Sequence, residues 1–223
     1  MKKLIAFAFF LAIFMIGCEE DVVKGPNELG GETNIPLTKV GNTYSVSVTL
    51  GDTYLDIDLD TAYISKNENG IVTVKLKADI STVDSILRSI IPARFLDLNG
   101  NIDAEVYFKA TSEGIQDFYY SDQDFSKPFT ILKYDMGVGT SWSFTTSDGK
   151  TINRSVTEKS GLDDWPFGFM YIKTTKVEES NPGIEGVSKV IFRANHRFGL
   201  IYVEYVLLNG VSVKLYLYPQ ADL

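Results

Sequence analysis

The residue types best suited to catalysis are scarce in this sequence, which has one cysteine, Cys18, and one histidine, His196. A Ser-His-Asp site needs its histidine beside a serine on a sharp turn, and the Gly-x-Ser-x-Gly pattern of such turns does not occur. One histidine and one cysteine also cannot supply the usual zinc spacing. We therefore interpret His196 as an exposed residue between two strands, and we predict that the protein is not an enzyme.

One segment carries oxygen-bearing side chains at alternating positions, as calcium ligands often are. It does not match an EF-hand, because Ile102 replaces the sixth-position glycine and Phe108 stands where the twelfth-position glutamate belongs. The alternative is an Asn-Gly turn before a strand. We predict no metal site and no cofactor, and we retain four side chains as a calcium candidate: Asp97, Asn99, Asn101 and Asp103.

The aromatic run over residues 165–171 is a candidate binding surface. Its aromatic residues alternate from Phe167 onward, which is typical of a strand that packs on a core. Trp165 lies at the loop edge before a proline, where an exposed indole could stack on a sugar or enter a partner's groove. Two interpretations stay open: Trp165 and Phe167 contact a ligand or partner, or they pack at the rim of the core.

The chain begins with the parts of a secretory signal, namely Lys2 and Lys3, an apolar run over residues 4–16, and a small residue. The apolar run is shorter than the about 20 residues that span a bilayer. Its end resembles the lipobox of bacterial lipoproteins, here Met15-Ile16-Gly17-Cys18. The resemblance implies that the signal peptide, residues 1–17, is removed and that Cys18 carries fatty acids such as palmitate, which attach the mature protein to a membrane.

Residues 18–36 form the next segment, which is acidic, poor in apolar residues and contains Gly-Pro and Gly-Gly pairs. This composition favours a flexible tether. Its first acidic residues, Glu19-Glu20-Asp21, resemble the surface-export signal of Bacteroidetes lipoproteins, and the alternative is an ordinary solvated tether. We therefore expect an outer membrane lipoprotein of the cell envelope, facing either the periplasm or the outside.

The charge of the chain narrows the possible partners. The net charge of −8 becomes −10 once Lys2 and Lys3 are removed with the signal peptide. Nucleic-acid binding requires basic patches, so we predict no nucleic-acid partner. Anionic lipid would repel the chain too, so the acyl chains on Cys18 must supply the membrane attachment. A protein, glycan or lipid partner remains open.

Residues 37–223 are predicted to form a β-rich domain. Polar and apolar residues alternate over 43–50 and 55–60, and three turn pairs separate strand-like runs: Asn69-Gly70, Asp148-Gly149 and Asn209-Gly210. Residues 200–208 should pair with residues 211–218. One short helix is predicted over residues 81–91, where apolar residues share a face and Pro92 ends it. The predicted fold is mostly β, with antiparallel sheets or a half-open barrel.

Two sequence blocks occur twice in the same order, which suggests an internal duplication. Residues 40–46, with Gly41 and Tyr44, parallel residues 138–144, with Gly139 and Trp142. Residues 106–110 parallel residues 190–194. We predict two β repeats, 37–125 and 131–218, with the helix inserted into the first. The second repeat resembles domains of secreted bacterial lipoproteins that open on Gly-x-x-Trp and close on Gly-Leu-Ile, which implies antiparallel sheets or half-open barrels.

Three functions follow from these patterns. The first is a lipid-anchored, non-enzymatic binding or structural module. The second is a carrier of an apolar ligand or lipid inside a half-open barrel, with the helix over residues 81–91 across its mouth, as in the lipoprotein-carrier family. The third is a hydrolase that uses carboxylates. A continuous apolar cavity of several hundred Å³ would separate the carrier from the other two.

Overall fold

The structure is a computed structural model that describes residues 25–83, 88 and 90–220, without the side chains of residues 58–60. Cys18, the signal peptide and residues 18–24 of the predicted tether lie outside the described residues. So does most of the helix predicted over residues 81–91. In the described part of the chain, no helix has the length and hydrophobicity to span a bilayer.

The described residues form fifteen β-strands and three short 3₁₀ turns. The 3₁₀ turns are Pro36–Thr38, Ala93–Phe95 and Tyr119–Ser121. The strands are β1 (Thr43–Leu50), β2 (Thr53–Leu55), β3 (Asp58–Glu68), β4 (Ile71–Asp79), β5 (Ile102–Thr111), β6 (Gly114–Asp117), β7 (Phe129–Lys133), β8 (Ser141–Thr145), β9 (Thr151–Lys159), β10 (Trp165–Phe167), β11 (Met170–Ile172), β12 (Thr175–Ser180), β13 (Val187–Asn195), β14 (Gly199–Leu207) and β15 (Ser212–Gln220).

The strands assemble into a nearly closed, antiparallel barrel-like sheet, which confirms the predicted fold class. Its order is β7-β6-β5-β4-β3-β1-β15-β14-β13-β12-β9-β8, with the short β2 beside β1. Two meanders therefore follow each other along the chain, β1 to β7 and β8 to β15, and the ladder between β1 and β15 joins them. β10 and β11 form a separate hairpin.

The predicted hairpins form, although only one has the tightest turn. Asn69 and Gly70 both have positive φ, 53° and 84°, as a type I′ turn requires. At the other two pairs, only Gly149 and Gly210 have positive φ, so those loops take longer forms. β14 pairs with β15 as predicted, with Tyr202 opposite Tyr216.

The alternating run over residues 55–60 does not form one strand. β2 ends at Leu55, and β3 begins at Asp58 after two residues without strand pairing. β2 folds back on β1, whereas β3 pairs with β4. The prediction of one continuous strand was wrong here because alternation does not record where the chain turns.

The two sequence blocks occupy matching places in the two meanders. Gly41 and Gly139 precede the first strand of each meander and have φ of 94° and 90°, a conformation that favours glycine. Gly41 N donates to Ile64 O, and Gly139 N donates to Val156 O, both at 2.9 Å. Residues 106–110 and 190–194 lie in β5 and β13, the fourth strand of each meander along the sheet. A common origin of the halves stays a prediction.

The edge strands β7 and β8 meet at a gap in the ladder, which we call the seam. Side chains bridge it. Trp142 Nε1 donates to Thr130 O at 2.7 Å, and Arg154 Nη1 donates to Phe129 O and Thr130 O at 3.3 and 3.0 Å. The aromatic residue of the second repeat motif therefore holds the two ends of the sheet together.

The end of the predicted tether also crosses the seam. Asn27 Nδ2 donates to Ser143 O of β8 at 3.1 Å, and its Oδ1 accepts from Thr130 N of β7 at 3.1 Å. Glu32 N and O bond to Ser112 at 3.0 and 2.9 Å. The prediction of a free tether is therefore wrong for residues 25–36, because their backbone and amide groups find partners on the barrel.

Candidate ligand cavity

The barrel interior contains a partly open cavity of about 300 Å³ with a largely apolar wall. Inward-facing side chains from both meanders line it, among them Val46, Leu76, Ile131, Leu200 and Leu217. The volume lies at the lower end of the range for small-molecule sites, about 300–1,000 Å³. It is about twice an engineered apolar cavity of ~150 Å³ that binds benzene.

One side of the cavity wall is polar, and Arg154 is at its centre. The Arg154 side chain is 2% exposed. Its Nε donates to Glu179 Oε2 and its Nη2 donates to Asp117 Oδ2, both at 2.7 Å. Tyr120 OH donates to the other oxygen of Glu179. We call these four residues the Arg154 cluster. It joins strands β6, β9 and β12 with the turn that follows β6.

The guanidinium also lies over an aromatic ring. Arg154 Cζ is 3.8 Å from the ring centroid of Phe129 and 5.0 Å from that of Phe192. Since such contacts gain strength when the cation is desolvated, they offset part of the cost of burying this charge. The arginine is thereby fixed by ion pairs in its plane and by rings on its faces.

Burial makes the largest single contribution to the pKa of both Glu179 and Arg154. It raises the pKa of Glu179 above the ordinary glutamate value, and the Arg154 charge and the Tyr120 hydrogen bond offset only part of that rise. Burial by itself would lower the pKa of Arg154, but the charges of Asp117 and Glu179 together outweigh it and raise that pKa. The guanidinium therefore stays charged, while Glu179 holds a proton more tightly when folded than when unfolded.

This shift predicts a pH dependence of stability. A carboxyl group with a raised folded pKa contributes stability that is full below its unfolded pKa, about 4.3 for glutamate. That contribution is lost as pH rises through the folded value. We expect the free energy of unfolding to fall over this window by up to about 1.4 kcal/mol per pH unit because of Glu179.

The measurement is urea unfolding from pH 4 to pH 8 for the wild-type protein and Glu179→Gln. In the variant, the free energy of unfolding should no longer fall with rising pH because of this group, since the substitution removes the titrating carboxyl group and keeps the side-chain volume. Glu158→Gln is the matched control, because Arg193 lowers the pKa of Glu158 by hydrogen bonding and its effect therefore has the opposite sign. Parallel curves for wild type and Glu179→Gln would contradict the assignment.

The polar wall lies close to the protein surface. Four residues border both the cavity and a smaller surface pocket of about 60 Å³: Val106, Tyr107, Asp117 and Tyr119. Arg94 lies at that smaller pocket, 4.9 Å from the Tyr119 ring centroid and 3.5 Å from Asp122 Oδ1. Asp117 and Tyr119 thus lie between the cavity and this surface pocket.

Trp165 and Phe167, the predicted contact residues, are half-buried against the outer wall of the barrel. Trp165 lies under the guanidinium of Arg193, 4.2 Å away, and 5.4 Å from the Tyr202 ring. Phe167 packs on Phe198 at 4.8 Å between ring centroids. These contacts fit the packing interpretation, and the contact role stays a prediction. The exposed aromatic residues of the β10–β11 hairpin are Phe169 and Tyr171.

Of the calcium candidate residues, Asp97, Asn99 and Asn101 lie in or beside a turn and Asp103 lies in β5. Several of their oxygen atoms already have partners. Asp97 Oδ1 accepts from Asn99 N and Asn101 N at 2.8 and 2.9 Å. Asn101 Oδ1 accepts from Ile80 N, and Asp103 pairs with Lys77 at 2.9 Å. This arrangement matches the Asn-Gly turn. Within the described ranges, no group of three or more His, Cys, Asp or Glu side chains is close enough to hold a metal ion. His196 is exposed in the β13–β14 turn.

The sequence analysis missed the Arg154 cluster, although a signal was present. Arg154 falls in step with Ile152 and Val156 along β9, and Glu179 falls in step with Val177 along β12. All of these side chains are buried. Because alternate residues of a strand share a face, a charge on an apolar face of a strand is the signal for a buried ion pair.

No protein-family model, curated protein or solved structure matches this chain. A function can be inferred from the cavity, from its polar wall and from the N-terminal sequence.

Proposed function

We propose that this protein is a lipid-anchored, non-enzymatic binding protein of the bacterial cell envelope that carries an apolar ligand inside its barrel. The observation that supports it is the cavity of about 300 Å³ in the barrel interior. Well-packed protein interiors have few voids larger than a water molecule. An apolar void of this size costs stability unless something fills it, because its lining side chains lack contacts.

The proposed location comes from the N-terminal sequence. The signal peptide over residues 1–17 and Cys18 support export and acylation, and the acidic residues after Cys18 favour the outer membrane. Two or more acyl chains hold a protein stably on a membrane, whereas one holds weakly. An anchored carrier would load and release its ligand at the membrane surface, where apolar molecules of the envelope are concentrated.

The direct experiment is to extract the native protein from its membrane under mild conditions and to identify co-purifying small molecules by mass spectrometry. We expect an apolar molecule in near-stoichiometric amount in the released fraction, in addition to the acyl chains that stay covalently bound. A variant that fills the cavity, Leu217→Trp, is the matched control and should lack it. An empty wild-type protein whose interior also excludes added apolar probes would contradict the proposal.

The anchor has its own test. Cys18→Ser removes the thiol that receives the acyl chains, so we expect a soluble or unprocessed form in place of a membrane-bound mature form. Fractionation and the intact mass of the protein report the outcome. Ser45→Ala, a substitution at a described strand residue, is the control and should leave localisation unchanged. A Cys18→Ser protein that remained mature and membrane-bound would show that attachment does not depend on Cys18.

A further inference from the structure

We infer that the ligand is a single-chain amphiphile whose head is a hydrogen-bond donor, either uncharged or cationic, and that its head lies at the Arg154 cluster with its apolar chain in the cavity. Anionic heads such as carboxylates are excluded. This inference rests on the proposed function, because it names the class of ligand for the same cavity.

The first support is the distribution of polarity around the cavity. The charged side chains of the wall all belong to the Arg154 cluster, and Tyr119 and Tyr205 lie near it. The other polar side chains of the wall are Tyr44 and Tyr107, and the Tyr107 hydroxyl donates to Glu105. The groups of the cluster bond to one another, but each carboxylate oxygen has two lone pairs, and a ligand that is apolar throughout would leave the remaining ones without a donor. A molecule with a polar end and an apolar chain matches both parts of the wall.

The second support is the charge balance of the cluster. One guanidinium faces two carboxyl groups, Asp117 and Glu179, at 2.7 Å each. With both carboxyl groups ionised the cluster is negative, and with one protonated it is neutral. In neither state does it offer a net positive charge. An anionic head would thus be buried without a counterion, which is strongly unfavourable.

The third support is the supply of donors and acceptors. Every nitrogen of Arg154 already faces a protein oxygen, since Nε and Nη2 bond to carboxylates and Nη1 bonds to backbone carbonyls of β7. Asp117 uses one oxygen for Arg154 and the other for Tyr119 N at 3.0 Å. Each carboxylate oxygen has two lone pairs, so acceptors remain while the guanidinium donors are used. The cluster can accept a hydrogen bond from a hydroxyl or an ammonium head.

The position of the cluster sets the orientation of the ligand. Asp117 and Tyr119 border both the cavity and the smaller surface pocket, and the Asp117 side chain is 14% exposed. The polar head therefore lies on the side of the cavity that borders this surface pocket. The chain extends from there toward Val46, Leu200 and Leu217 on the apolar wall.

The test compares how tightly the full protein binds three ligands that have the same ten-carbon chain and different head groups: decanol, decylamine and decanoate. Each is added below its micellar concentration at pH 7.5, and displacement of the neutral probe N-phenyl-1-naphthylamine is measured by fluorescence. We expect decanol and decylamine to bind at least tenfold more tightly than decanoate. Decanoate binding as tightly as the other two would overturn this inference and leave the proposed function standing. No binding of the probe or of any of the three would contradict the proposed function itself.

Variants of the cluster identify the residues responsible. Glu179→Gln and Asp117→Asn each replace a carboxyl group by an amide of similar volume, which leaves a single carboxyl group beside Arg154. Each should therefore narrow the preference for decanol over decanoate to less than threefold. Glu204→Gln is the control. Glu204 lies on the outer face of the barrel, where it accepts from Tyr202 OH at 2.9 Å, so this variant should keep the full preference. If both cluster variants kept the wild-type preference, the head would not lie at this cluster. Thermal unfolding checks that each variant is folded. Asp117→Asn is the safer of the two substitutions for folding, because Asp117 is the less buried carboxyl group.

Discussion

Arg154→Met is expected to destabilise this protein by about 3–5 kcal/mol, the cost of breaking a buried ion pair by removing one partner. The substitution removes the cation that pairs with the buried Glu179 and with Asp117. It also removes the donor to Phe129 O and Thr130 O. Since those two carbonyls belong to β7, the seam loses one of its bridges at the same time. Urea unfolding of purified wild type and variant measures the difference.

Arg94→Met is the matched control for this prediction. Arg94 also pairs with a carboxylate and lies near aromatic rings, but it is on the surface and its partner Asp122 is 81% exposed. Exposed pairs contribute about 0–1 kcal/mol, so this variant should stay close to wild type. Equal stability of Arg154→Met and Arg94→Met would show that the Arg154 cluster does not hold the barrel closed.

Filling the cavity is expected to weaken ligand binding without unfolding the protein. Leu217→Trp and Leu200→Trp each place a larger ring in the space that the cavity leaves open. We expect binding of N-phenyl-1-naphthylamine to weaken at least tenfold, about 1.4 kcal/mol. Fluorescence titration measures the affinity, and the melting temperature should change little, because the new ring occupies an existing void.

Leu208→Trp is the control, because it replaces leucine by tryptophan outside the barrel. Leu208 is exposed in the β14–β15 turn, so this variant should bind the probe as the wild-type protein does. Probe binding that survived both cavity substitutions would place the binding site outside the barrel. Melting curves separate this outcome from a loss of folding, since overpacking a filled core costs about 1–3 kcal/mol.

Several strands and hairpins followed directly from local patterns. Alternation predicted β1, and the Asn69-Gly70 pair predicted the turn between β3 and β4, because both signals depend on backbone preferences of neighbouring residues. The pairing of β14 with β15 followed in the same way. Gly41 and Gly139 were recognised as a repeated feature, and both take the positive φ that glycine favours.

The sequence by itself determined a mostly β fold, left open whether its antiparallel strands form sheets or a half-open barrel, and gave through its N-terminal motif an expectation of where the protein is attached. The tertiary structure decided how the barrel closes. Asn27, Trp142 and Arg154 bridge the seam from distant parts of the chain. It also decided that Arg154, Asp117 and Glu179 meet at one wall of a cavity. Ion pairs and cavities depend on side chains from several strands, and strand patterns record only which face each residue occupies.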